Sequence, residues 1–363
     1  MGVLCLNEKI IDFLLNNANP SIVLRIKKEI LNCLSDEEER KLLDKIFLEK
    51  NVQTVIQSQK PDGWFGNGFH GASPKEGVGM YDNMEVGLRY LSEKGFPSEN
   101  EYISKAVGAF LLDEPLFNDG RPVDDYAKWR LADNYANTAF GLYLIRSSIV
   151  LRAGYEYKLP KNDFFDLKHD IDFSFRTFAN VLNYADADDA VDTNKKKPFF
   201  KAGVLWPCSY DLRILAHSQG WRNDENISIL ADSMNHLFSF LHSREKMVYT
   251  YIKGAFRAPC LAFIHNQIYC LGLMEEAYVN FDLMELFARC GIVEQVPFLR
   301  KKYEYLVSLV DNNLNVNYKV DSSDRNWGPY GGFALEEDWK AKVRKQCDLL
   351  FRILLIIHYV KYY

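Results

Sequence analysis

The chain has 363 residues, a formal charge of −5 and 48% hydrophobic residues. It therefore has material for a large core, and it has neither the composition of a disordered chain nor the basic surplus of a nucleic-acid binder. Its basic runs, Lys195–Lys197 and Arg300–Lys302, read as solvated surface.

Helix signals dominate in chain order. The N-terminal stretch Met1–Leu14 carries Glu8, Lys9 and Asp12 and is unlike a signal peptide. Asn19-Pro20 reads as a cap with proline at the first helical position, followed by Ile22, Val23, Ile26, Ile30 and Leu31 at helical spacing. Ser35 with Glu38, Asp82 with Glu85, and Ser98 with Glu101 give three capping-box starts, and Gly95-Phe96-Pro97 is a stop. Further helices are expected near 134–153, 166–182, 207–218, 226–242, 260–278, 295–310 and 336–360. The best strand candidate is Val248–Ile252. The irregular stretches 61–80, 112–125, 184–205 and 312–335 are rich in Gly, Pro, Asp or Asn, and long loops of that kind often carry function. No composition shift marks a border, so one all-α domain over 1–363 is expected. The apolar C-terminal run Leu349–Val360 is broken by Arg352 and His358 and is too short to span a bilayer. Seven widely spaced cysteines without a Cys-x-x-Cys suit a reducing cytoplasm.

Aromatic residues make up 14% of the chain, enough for a thick aromatic core or for a deep cavity lined by rings. Gln59-Lys60-Pro61-Asp62-Gly63-Trp64-Phe65-Gly66 bears on this choice. Gly63 permits a tight turn, Asp62 can cap, and the Gln59 amide can tie a helix-end carbonyl to its neighbour. This stretch resembles the glutamine–tryptophan repeat of the squalene-cyclase-like superfamily, with Phe65 where the repeat has tryptophan. A weak echo follows at Asp324-Arg325-Asn326-Trp327-Gly328. The resemblance implies an α/α toroid, a barrel of helical hairpins like those of terpenoid cyclases and prenyltransferases. It further implies an enzyme or binder acting on a hydrophobic, isoprenoid-like small molecule.

Asp186-Ala187-Asp188-Asp189 is the Asp-x-Asp-Asp acid motif of the class II cyclases in that superfamily. There the middle residue, here Asp188, protonates an alkene or epoxide, while Asp186 and Asp189 tune it; no cofactor is required. The chemistry needs a carboxylic acid kept protonated by burial and by neighbouring carboxylates. Asp188-Asp189-Ala190-Val191-Asp192 also fits the magnesium motif of class I enzymes. Magnesium fits less well, because the downstream partner motif has only a misspaced likeness at Asn223-Asp224 and Ser228. The alternative for the acidic run is a solvated loop. No zinc set is expected: Asp-x-Cys is missing, and Cys260, His265 and Cys270 would lie on different sides of one helix.

His70, Trp206, Tyr210 and Arg257 are the candidate substrate-binding groups. His70 sits in a glycine-rich loop and suits acid–base work or a plain turn. Trp206 and Tyr210 open a helix after the acidic loop, and Arg257 could receive an anion or satisfy carbonyls. Aromatic loops with scattered Asp, His and Arg fit sugars as well as isoprenoids, so a carbohydrate-active α/α barrel is the second reading. A non-catalytic scaffold is the third.

Overall fold

A computed structural model describes residues 3–66, 68–70, 83–112, 141–159, 166–241, 248–252, 255–257, 262–264, 279–320, 325–327 and 332–362. The described chain is predominantly helical. Its helices are α1 (Val3–Asn17), α2 (Pro20–Arg25), α3 (Asp36–Phe47), α4 (Lys50–Gln57), α5 (Met84–Glu93), α6 (Glu101–Leu112), α7 (Gly141–Arg152) and α8 (Leu167–Asn180). They continue with α9 (Ser209–Ala216), α10 (Asp224–Leu241), α11 (Phe281–Arg289), α12 (Pro297–Ser308) and α13 (Lys342–Tyr362). Short strands β1 (Val191–Asp192) and β2 (Phe199–Phe200) pair antiparallel, as do β3 (Thr250–Ile252) and β4 (Ala255–Arg257). Among the described residues no helix is long and apolar enough to cross a membrane.

The local start signals act as their chemistry dictates. Asn19 accepts the Ile22 N–H with Pro20 in the first turn, and Ser35 accepts the Glu38 N–H. At α5 the cap is Asn83, whose side chain accepts the Val86 N–H; the expected Asp82 lies outside the described residues. The strand expected at Val248–Ile252 is realised as β3. The helix expected at 260–278 falls mostly outside the described residues. Its described part, 262–264, forms a bridge from Ala262 to Cys208 and a turn. The expectation of a last helix from residue 336 needs correction. Residues 336–341 form bends, because the backbone amides of Leu335 and Glu336 are drawn to the Asp348 side chain, and α13 begins at Lys342.

The chain forms two compact units. The first combines residues 1–121 with 304–363. Here α1 packs on α13, and α2 to α6 pack each on the next along the chain, apart from α6 as the last. Residues Cys347–Ile357 of α13 are buried throughout and form the centre of this core. Burying a side chain the size of Leu350 or Phe351 contributes about 1.5–3 kcal/mol, so this one helix supplies a large share of the unit's stability. The second unit is the continuous stretch 122–303. Its centre is α9, buried over its whole length and packed by α7, α8 and α11.

The Gln59–Gly66 hairpin is a stitch between helices. The Gln59 amide donates to Gly63 O at 3.1 Å and to Tyr102 O in α6 at 2.9 Å. Asp62 accepts the Trp64 N–H at 3.0 Å. Gly63 has φ +99°, and a Cβ there would stand 2.5 Å from Lys105 O of α6. A side chain is therefore excluded both by the backbone conformation and by the neighbouring helix. Phe65 is fully buried, and Trp64 meets Phe69 and Phe110 edge-on.

Candidate functional site

The acidic run of the second unit is built by its own backbone. Asp186 caps the 3-10 turn Ala187–Ala190, accepting the Asp188 N–H at 2.9 Å. Asp189 Oδ2 reaches back to the Ala185 and Asp186 N–H groups at 3.1 and 3.2 Å. Lys201 donates to the carbonyls of Asp188 and Asp189, and Asp192 accepts from Asn194. Asp186, Asp188 and Asp189 are all exposed. Their surroundings therefore lack the burial that a class II acid needs to hold its proton.

The other anticipated residues are dispersed. Trp206 is fully buried; its indole N–H donates to Phe263 O at 3.0 Å, and its ring packs against Tyr184 and Phe200. Tyr210 is buried on α9, where Asp211 accepts the Cys208 N–H. Arg257 ends β4 opposite Thr250. In the first unit, His70 Nδ1 lies 2.5 Å from Oε2 of the buried Glu85. Glu85 is also 3.8 Å from Arg89, whose guanidinium lies over the Trp327 ring.

Trp327 leads to a cleft in the first unit. Its volume is about 490 Å³, within the range of small-ligand pockets. Its walls combine Trp327, Trp339, Arg325 and Asn326 with Asn51 from α4 and the acidic run Glu336, Glu337 and Asp338. Three residues of this wall, Arg325, Asn326 and Trp327, were part of the sequence echo at 324–328, and Glu336 to Trp339 lay in a stretch expected to be helix. Among the described residues, no cluster of His, Cys, Asp and Glu is arranged to hold a metal ion.

The cleft floor is fixed by buried charges. Asp348 of α13 is fully buried and accepts Leu335 N–H and the Trp339 indole N–H, each at 2.7 Å, and Glu336 N–H at 3.1 Å. Burial nonetheless pushes its carboxyl above the usual range, against these donors and Arg352. Arg352 donates to Phe333 O at 2.8 Å and joins Glu93, which Arg25 also contacts at 2.7 Å. Lys94 is buried and bonds both Glu49 and Leu335 O. Burial also raises the Glu49 carboxyl despite Lys94. The Trp327 indole N–H donates to Ala334 O at 2.7 Å, and Gly332 has φ +114° with Trp327 Cα 2.5 Å from where a Cβ would stand. Each indole is thereby held by its polar edge; Trp327 is buried with the Arg89 guanidinium over its ring, and Trp339 is half-buried with Arg325 and Lys345 over its ring.

No family model matches the chain, and neither does any curated protein or solved structure. The functional reading therefore rests on the chain's own geometry.

Proposed function

We propose that the first unit binds a carbohydrate, or a similarly hydroxyl-rich ring compound, in the Trp327–Trp339 cleft. The observation that carries this reading is the pairing of two anchored indoles with an amide-, guanidinium- and carboxylate-bearing wall. A sugar ring has apolar C–H faces that suit aromatic carbon, and hydroxyls around its rim that suit Asn51, Asn326, Arg325 and the carboxylates. An isoprenoid chain has no hydroxyls to satisfy that wall and would leave it desolvated without partners.

The same reading includes a ring of helical hairpins as the architecture. It is supported by the Gln59 amide bridging to α6 and by the succession of neighbouring helices in the first unit. A reducing, cytoplasmic setting belongs with it, supported by the free thiols of Cys33, Cys208, Cys290 and Cys347.

The test is a titration of the full chain, followed by tryptophan fluorescence, with a panel of mono- to tetrasaccharides and with geranylgeranyl diphosphate. A saturable response to one sugar class, removed by Trp339→Ala, is the expected result. Saturation by the isoprenoid and none by sugars would overturn the reading in favour of a cyclase-like binder.

A further inference from the structure

Two carboxylates of this cleft stand in opposite surroundings. Glu336 is only 7% exposed, and its Oε1 accepts the Asn19 N–H at 2.9 Å. It faces Lys94 at the end of α5, Asp348 within α13 and Arg344 in the first turn of α13. Glu49, at the start of α4, lies against the same Lys94. Burial drives the Glu336 carboxyl up to about 7; Asp348 adds to the rise, and the Asn19 amide, Lys94 and Arg344 oppose it. Asp338 lines the same cleft two residues on. Its carboxylate accepts the Lys340 N–H at 2.8 Å and meets Arg344 at 2.8 Å. The Lys340 amide, with help from Arg344, holds that carboxyl below the usual range. One cleft thus presents a carboxyl that is 7% exposed and a carboxylate paired with Arg344, two unlike surroundings of the kind that acid-assisted bond cleavage divides between its acid and its anion.

We propose that this cleft hydrolyses a glycosidic bond, with Glu336 as the proton donor and Asp338 as the fixed anion beside the anomeric carbon. The proposal rests on the sugar-binding reading above. Glu336 passes its proton to the glycosidic oxygen as the bond from that oxygen to the anomeric carbon breaks, and the first sugar leaves as an alcohol. The positive charge that develops on the anomeric carbon and ring oxygen is stabilised by the Asp338 carboxylate. A water then adds to that carbon, and the Glu336 carboxylate takes its proton and is restored. One water is consumed for each bond cleaved, and no oxidant or reductant enters.

The experiment uses the full chain with two substrate sets: α- and β-linked disaccharides of glucose, galactose and mannose, and the matching 2,4-dinitrophenyl glycosides. Hydrolysis of one linkage class is expected, with kcat/KM falling as the pH rises through about 7 and Glu336 loses its proton. Glu336→Gln keeps an oxygen for the Asn19 amide and is checked for folding by its thermal melt. It is expected to lower kcat/KM on the disaccharide by about 100-fold or more. On the dinitrophenyl glycoside, whose leaving group departs without protonation, the loss is expected to stay below about 10-fold. Asp338→Asn is expected to lower both alike. A chain that binds sugar in the cleft but cleaves none of these substrates overturns the hydrolytic proposal and leaves the binding reading intact. Equal losses on both substrates for Glu336→Gln overturn its role as proton donor. Absence of sugar binding removes both readings together.

Discussion

Two acidic runs of similar composition meet opposite fates in this protein. Asp186–Asp192 folds back on itself: Asp186, Asp189 and Asp192 accept from nearby backbone amides, and Asp186, Asp188 and Asp189 stay exposed. Glu336–Asp338 lies against two indoles and a buried carboxylate, and its first member is almost fully covered. The contrast shows that a carboxylate's chemistry is set by desolvation and neighbours, which short motifs do not encode.

The largest expected effect that tests this contrast is at Asp348. Asp348→Ala removes the acceptor for two backbone amides and an indole, and leaves Arg352 with one buried anion fewer nearby. A loss of about 3–5 kcal/mol is expected in urea unfolding, with collapse of the Trp339 environment seen in fluorescence. A loss below about 1 kcal/mol would mean that the cleft floor is not held as described.

Next in size is a pH effect. The folded-state pKa of Glu336 lies above its unfolded value, so the folded chain binds the extra proton. Its contribution to stability is full below about 4.5 and is lost as pH rises through about 7. The raised carboxyls of Glu49 and Asp348 act in the same direction. The Glu336 share is on the order of 3 kcal/mol, and Glu336→Gln is expected to flatten that part of the stability profile between pH 5 and 8.

Smaller effects are expected in the other acidic run. Asp186→Ala removes a cap from a short exposed turn and should cost about 1 kcal/mol or less in a thermal melt. Asp188→Asn, at an exposed position, should change stability by less than about 0.5 kcal/mol and leave sugar binding in the other unit unchanged. A Asp188→Asn variant that lost activity on an isoprenoid substrate would instead restore the acid-motif reading.

The legible parts of this chain were those whose physics is local. Asn19-Pro20, Ser35 and the Gln59–Gly66 hairpin each work through partners within a turn or one neighbouring helix. The cleft was illegible for the opposite reason. Asp348 lies a dozen residues past the amides it binds, in a run that reads as apolar helix, and it halts helix formation at 336–341. Asn19 reaches Glu336 across 317 positions, a pairing no spacing rule anticipates. The run at 186–189 was legible both as an acid motif and as a solvated loop, and the choice between them depended on what packs around it.

The first unit is made from both ends of the chain, and this bears on how the protein is synthesised. Residues 122–303 have all their unit's partners once residue 303 has left the ribosome. The cleft must wait: its floor needs Asp348, and α1 has no α13 to cover it until residues 342–362 have emerged. During translation the helices of residues 1–121 are thus a half-built surface, separated from residues 304–363 by the whole second unit, and they expose apolar area meanwhile. Shortening the C-terminus by even two turns of α13 should therefore act on the yield of folded chain before it acts on any ligand.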